Sequence, residues 1–259
     1  LLARECLQNL IYVRLDGFFL LADAQWPMSH TAIVAGVGPG LGESLARKFA
    51  AEGCQVGLFA RSREYIESLA ADLGETAGDG LAVPTNLADP QQIATGFDRV
   101  HEAFGTVDIL VNHASAAPWS GIKEIAGDEF GQALAVGPKA ALHCSQQAIS
   151  DMREGDGGTI IFTGATTSVR GRENAIGFSA AKFASRGMAQ SMARELGPEG
   201  IHVAHVVLDG QIRPPESDVD DPQAYLDPDE VAESYWHLVE QDRSAWTLEL
   251  DLRPHVEEF

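Results

Sequence analysis

The sequence predicts an α/β fold: a single domain built on one doubly wound, seven-stranded parallel sheet. Three observations predict it. Strand-like and helix-like runs alternate from Thr31 to the C-terminus, and a glycine-rich turn links the first such strand to the first helix. The length of 259 residues suits one α/β domain with a large core. Repeated βα units imply a parallel sheet covered on both faces, because each right-handed crossover lays its helix over the sheet.

The elements follow in order. Residues 1–28 show no periodic pattern and are set aside as a peripheral N-terminal extension, or as translated sequence upstream of the natural start at Met28; residues 29–259 form the domain. Thr31–Ala35 is a buried-strand run, and Leu41 to Glu52 a helix with Gly53 where a helix-ending glycine belongs. Gln55–Ala60 is a second strand, and Ser62 can cap a helix reaching about Ala71. Leu81–Pro84 is a third strand, after which Asp89-Pro90 opens a helix with a cap and a first-turn proline. Asp108–Asn112 is a fourth strand and Asp128–Ile149 one long helix. Thr159–Thr163, the helix Gly177–Leu196, and the strand Ile201–Leu208 come next. Pro228–Gln241 is helical, and Trp246–Asp251 alternates like a seventh strand. The Pro- and Asp-rich stretch from Gln211 to Pro228 leaves the carboxyl end of the sheet, so it is either a mobile substrate-side loop or an acidic linker.

Charge and composition exclude several classes. A net charge of −20 argues against nucleic-acid binding, which needs a basic face. Four of the 18 basic residues are Lys and 14 are Arg, so the surface suits either a salty cytoplasm or an ordinary acidic protein. A melting temperature that climbs steeply with KCl would separate the two. The most apolar early stretch, Leu10 to Ala22, is broken by Arg14 and Asp16, which leaves neither a membrane span nor a signal-peptide core. Cys6, Cys54 and Cys144 are too scattered for a disulfide framework or a zinc site, and a cytoplasmic location is expected. His202 and His205 lie three apart in a strand, on opposite faces, so no metal site is expected from them.

The turn after the first strand reads Gly36-Val37-Gly38-Pro39-Gly40-Leu41-Gly42. It does not fit G-x-G-x-x-G in either register, but it fits G-x-x-x-G-x-G through Gly36, Gly40 and Gly42. Glycines there allow a tight turn and let backbone amides approach a pyrophosphate at a helix N-terminus, as in a Rossmann-type dinucleotide site. The second strand ends in Ala60-Arg61-Ser62-Arg63 with no carboxylate for a ribose 2′-hydroxyl. Arg61 and Ser62 can instead meet a 2′-phosphate, which favours NADP(H) over NAD(H).

With these pieces placed, the chain from about Ser29 onward resembles the short-chain dehydrogenase/reductase superfamily. The glycine turn is one marker, with Ala35 where the family usually has Thr. Asn112-His113-Ala114-Ser115 resembles the family's Asn-Asn-Ala-Gly, Phe178-Ser179-Ala180-Ala181-Lys182 its Tyr-x-x-x-Lys, and Asp209-Gly210 its Pro-Gly. The resemblance implies a cofactor held by Gly36, Pro39, Gly40, Leu41 and Gly42, by Arg61 and Ser62, and by Asn86 and Leu87. It also implies contributions from Asn112, Ala114, Lys182, Gly210 and Ile212. Asn86 stands where the family usually has Asp beside the adenine and can still hydrogen-bond.

The family's catalytic side chains carry over only in part. Its Tyr position is Phe178, its Ser position, thirteen residues earlier, is Ala165, and its helix Asn falls at Gly137. Only Lys182 is retained. The chain is similar to a subgroup with Phe in place of Tyr, and ordinary alcohol–ketone turnover should be very slow without that acid. Lys182 either holds the nicotinamide ribose hydroxyls or, beside Phe178, serves as the acid with a lowered pKa. Thr163, Thr166, Thr167 and Ser179 supply nearby hydroxyls that either replace the lost donor or are plain strand-end chemistry. Two functions follow: an NADP(H)-dependent oxidoreductase with a rearranged proton donor and an unknown small-molecule substrate, or a nucleotide-binding sensor or partner subunit. A lyase on the same fold has less support. The resemblance implies a homodimer or homotetramer joined through the two long helices, with Trp246 an interface anchor or a core residue.

Overall fold

The computed structural model describes residues 10–15, 18–23, 30–215 and 219–257. Strands β1 (Leu10–Leu15) and β2 (Phe18–Asp23) form an antiparallel pair separate from the main sheet. They fall where the sequence predicts no periodic pattern. The Asp16-Gly17 dipeptide between them is a common hairpin-loop composition, and it was the local signal for this pair.

The main sheet has seven parallel strands: β3 (Thr31–Ala35), β4 (Gln55–Ala60), β5 (Asp79–Pro84), β6 (Ile109–Asn112), β7 (Gly158–Thr163), β8 (Ile201–Leu208) and β9 (Glu249–Leu252). Their order across the sheet is β5-β4-β3-β6-β7-β8-β9. The reversal lies between β3 and β6, and the crevice outside the carboxyl ends of these strands is where a ligand site is expected in such folds. The Rossmann-type expectation is therefore met.

Strand alternation divides the core into two layers. On β8, Ala204, Val206 and Leu208 face the layer beneath α1 (Leu41–Ala51), α2 (Arg63–Leu73) and α7 (Pro228–Val239). Ile201 and Val203 face the opposite layer with α3 (Pro90–Phe104), α5 (Ala140–Glu154) and α6 (Ile176–Leu196). The two strand histidines obey the same period. His202 meets the Leu238 carbonyl on α7 at 3.1 Å and stacks on Trp246, ring centroids 5.0 Å apart. His205 lies on the other face near Glu249, Nδ1 to Oε2 3.3 Å. Trp246 is half-buried and precedes β9, which begins three residues later than the sequence predicts.

The long helix predicted over Asp128–Ile149 is interrupted. Helix α4 (Gly127–Leu134) ends in a π-turn, Ala135–Lys139, before α5 begins. Pro138 inside that turn has no N–H to give the preceding turn, and the wider spacing absorbs its ring. The loop from Gln211 to Pro228 is tied at its base: Leu226 N donates to Gln211 O and Arg213 N to Leu226 O, both at 2.8 Å.

Candidate functional site

Two clefts of about 460 Å³ each open at the carboxyl end of the sheet. They share His113 and Ser115, so they form the two halves of one groove.

The first half is built on backbone. Gly36 has φ of +115°, and a Cβ there would sit 2.6 Å from the backbone of Ala114. Gly40 has φ of +94°, and a Cβ on Gly42 would lie 2.9 Å from the Gly36 carbonyl. Glycine at these three positions is thus required by conformation or by close approach. Gly38 carries neither constraint, since nothing lies within 4 Å of a Cβ placed on it. Pro39 and Gly42 line the groove; the Leu41 side chain is buried in the core, so Leu41 can serve the groove only through its backbone. A helix leaves its first amides without intrahelical acceptors, here those ahead of Glu43 and Ser44, which donate to Gly38 O and Gly40 O. Across the groove stand Arg61, Ser62, Asn86 and Leu87. Asn86 Oδ1 accepts from Ala88 N at 3.2 Å. Arg61 and Ser62 are exposed, with no carboxylate of the described residues paired to Arg61.

The second half is built on side chains. Lys182, only 6% exposed, donates to the Thr163 carbonyl at 2.7 Å. Burial pushes its ammonium down to about 8. Its Nζ lies 5.5 Å from the centre of the Phe178 ring. Phe178, Ala165, Gly210 and Ile212 all line this half, so the residues at the resemblance's Tyr and Ser positions stand together with Lys182. Asn112 and Gly137 line neither cleft but a small adjoining cavity of about 10 Å³, which shares Ser115 with both clefts and Lys182 with the second. Asn112 Nδ2 donates to Ser145 Oγ at 3.2 Å.

A buried polar chain supports the floor. Tyr235, fully buried on α7, donates its hydroxyl to Thr163 Oγ1 at 2.9 Å, and Thr163 Oγ1 lies 3.1 Å from His113 Nδ1. A hydroxyl that accepts from the phenol has its own proton left for the imidazole, which places the ring proton of His113 on Nε2. Burial, reinforced by the Lys182 charge, pushes His113 down to about 4 and keeps it neutral. The phenol is thus tied to Thr163 within the core, and Phe178 fills the cleft wall beside Lys182.

The other predicted hydroxyls are committed or isolated. Thr166 Oγ1 donates to the buried carboxylate of Asp209 at 2.6 Å, and Ser179 Oγ accepts from Arg172 N at 3.3 Å. The Thr167 hydroxyl is buried with no hydrogen-bond partner among the described residues. Arg170 and Arg253 also approach Asp209, at 3.3 and 3.4 Å. Sequence reasoning assigned no role to His113, Trp119, Arg172 or Tyr235. For His113 the signal was present as a departure from Asn-Asn-Ala-Gly; the other three are brought in from distant loops and helices. Among the described residues no group of His, Cys, Asp and Glu side chains is arranged to hold a metal ion.

Comparison with known proteins places the architecture. A family model for short chain dehydrogenases matches residues 30–213. A 3alpha-hydroxysteroid dehydrogenase from Mediterraneibacter gnavus is 33% identical over 177 residues, 68% of this chain and 71% of that protein. A short-chain dehydrogenase structure from Rhodopseudomonas palustris is 31% identical with a TM-score of 0.77, covering 87% of this chain and 99% of that one. An L-sorbose reductase from Gluconobacter frateurii, solved with NADPH and L-sorbose, shares the fold at 22% identity and a TM-score of 0.82, covering 89% of this chain and 97% of that one.

Proposed function

The chain belongs to the short chain dehydrogenase family, and from that premise we propose that it is an NADP(H)-dependent oxidoreductase whose proton handling has been rearranged. One observation carries the cofactor choice: the groove wall at the end of β4 presents Arg61 and Ser62 and no carboxylate. Arg61 fits a 2′-phosphate, which a guanidinium recognises through paired donors. The glycine turn, with a Cβ at Gly36 or Gly42 blocked by backbone, fits the pyrophosphate. Asn86 lines the same cleft and would meet the adenine, and Lys182 has ammonium protons beyond the one given to Thr163 for the ribose hydroxyls. When bound, the cofactor supplies a hydride. The L-sorbose reductase with NADPH indicates only that this fold accepts such a cofactor.

The substrate side lacks the family's acid. Phe178 has no titratable proton and Ala165 no hydroxyl, so these two positions offer no proton to the alkoxide that forms from a ketone. Loss of a positioned acid costs about 10²–10⁴ in rate. Reduction of a conjugated C=C bond suits this wall better, because solvent can protonate the carbon afterwards. Lys182 and neutral His113 remain as donors that polarise a conjugated carbonyl. The helices α5 and α6 expose Leu142 and Phe183, which supports association into a homo-oligomer. No described helix is long and apolar enough to cross a membrane.

Titration of the purified protein with NADPH and NADH tests the cofactor, followed by NADPH oxidation against ketones, imines and enones. Tighter NADPH binding with turnover of enones above saturated ketones is expected. Tighter NADH binding would overturn the cofactor choice; tight NADPH binding with no oxidation would overturn the enzyme.

A further inference from the structure

The substrate half of the groove contains a wall the family comparison does not assign. Four residues line it in a row: Lys182, Phe178, Trp119 and Arg172. Lys182 Nζ is 5.5 Å from the Phe178 ring, the Phe178 and Trp119 centroids are 5.6 Å apart, and the Arg172 guanidinium carbon is 5.5 Å from the Trp119 ring. Two aromatic rings thus stand between two cations. The inner cation is committed to the Thr163 carbonyl. The outer one is not: no carboxylate among the described residues pairs with the Arg172 guanidinium, whereas its neighbour Arg170 is held by Asp209. As with Arg61 in the other half of the groove, this leaves a cleft guanidinium open to an external anion. Trp119 beside it is 60% exposed, leaving apolar ring area in the open groove.

From this juxtaposition we infer the substrate class: a planar, conjugated carbonyl compound bearing a carboxylate, its flat body against Trp119 and Phe178 and its anion on Arg172. The inference rests on the proposed reductase function for what it says about substrate, and its binding test stands without turnover. A carboxylate meets guanidinium through two parallel N–H donors, a geometry that point cations do not offer. An aromatic face supplies apolar contact and prefers offset stacking with another π-system. Leu208 and Ile212 add apolar surface to the rings, beside the polar groups of Lys182, His113 and Arg172 that can fix a ligand's orientation.

Calorimetric titration with trans-cinnamate and with cinnamamide, planar ligands that differ in charge, tests this on wild type, Arg172→Gln and Trp119→Ala, with and without saturating NADPH. Wild type should bind the acid about tenfold more tightly than the amide. Arg172→Gln should erase that preference and leave amide affinity within about twofold, while Trp119→Ala should weaken both ligands alike. NADPH titration and thermal melts of each variant report separately on the cofactor cleft and on folding. Wild type failing to bind NADPH would sink the proposed function and leave the cinnamate result to be judged by itself. Equal affinity for acid and amide, a preference that survives Arg172→Gln, ligand binding unmoved by Trp119→Ala, or no binding of either ligand at millimolar concentration would overturn the inference.

Discussion

The two halves of the groove are made of different materials. Around Gly36 the surface is main chain: its shape follows from positive φ angles and from how closely the turn after β3 approaches Ala114. Around Lys182 the surface is side chain: aromatic rings, a buried ammonium and a neutral imidazole meet from β6, β7, α6 and the loop carrying Trp119. Backbone surfaces recognise what every dinucleotide shares, a pyrophosphate. Side-chain surfaces can change one residue at a time, which is how a fold keeps a cofactor while altering its chemistry. Each of the following experiments presses on one side of that contrast.

The largest effect is expected on the backbone half. Gly36→Val adds a Cβ 2.6 Å from the Ala114 backbone at a φ of +115°, where neither partner can yield as a flexible side chain would. Strain and overpacking together should cost at least about 3 kcal/mol and abolish NADPH binding. Chemical denaturation with a cofactor titration measures both. Gly40→Ala is the sharper companion, since its φ of +94° is strained but its surroundings are open. It should cost about 1–3 kcal/mol, from backbone strain alone.

On the side-chain half the largest lever is Lys182. Its folded-state value of about 8 lies below the ordinary 10.5, so the unfolded chain binds more protons between those limits. Stability due to this group therefore rises with pH across that window, and below it the full penalty of a buried ammonium remains. Compared with Lys182→Met, wild type should gain up to about 3 kcal/mol between pH 8 and 10.5. Urea midpoints across this range would show it; parallel curves for the two proteins would mean the ammonium is solvated.

Adding an acid comes next. Phe178→Tyr with Ala165→Ser puts a phenol and a hydroxyl on the cleft wall beside Lys182. The double variant should gain carbonyl reductase activity by about 10²-fold, the low end of general acid catalysis. Unchanged inactivity would mean that Trp119 and Arg172 have reshaped the cleft beyond those two side chains.

These two halves were unequally legible in the sequence. The glycine turn could be read because seven consecutive residues hold the whole requirement, and positive φ has few solutions. The inner strands β3, β4, β6, β7 and β8 could be read because burial on both faces makes each a short apolar run between turns, whereas the edge strand β9, half exposed, was read from its alternation. The wall of Lys182, Phe178, Trp119 and Arg172 could not: its members come from different loops and a helix, and only the sheet topology brings them together. Lys182 and Phe178 were found because they share one helix at a fixed spacing. The break at Pro138 was visible as a proline, yet the helical pattern that continues on both sides of it, in α4 and α5, hid it.

Thr163 links the two materials, because its carbonyl holds Lys182 and its hydroxyl joins Tyr235 to His113. Thr163→Val keeps the carbonyl and removes the hydroxyl, leaving a fully buried phenol without an acceptor. The expected cost is about 2 kcal/mol, and adding Tyr235→Phe should recover most of it by removing the stranded group. Thermal melts of the single and double variants decide this. A loss that Tyr235→Phe does not recover would place the cost in packing and not in the polar chain.

The smallest expected effect is the most exacting for the backbone half. Four glycines stand in the turn, and the geometry requires three. Gly38 has no positive φ, and a methyl group added to its Cα would meet no atom within 4 Å. Gly38→Ala should therefore change stability by less than about 0.5 kcal/mol, in the direction of a small gain because alanine narrows the unfolded ensemble. NADPH affinity should stay within about twofold of wild type. If this variant lost cofactor as completely as Gly36→Val, the pyrophosphate would have to pass over residue 38. The spacing through Gly36, Gly40 and Gly42 would then be the wrong description of the cradle.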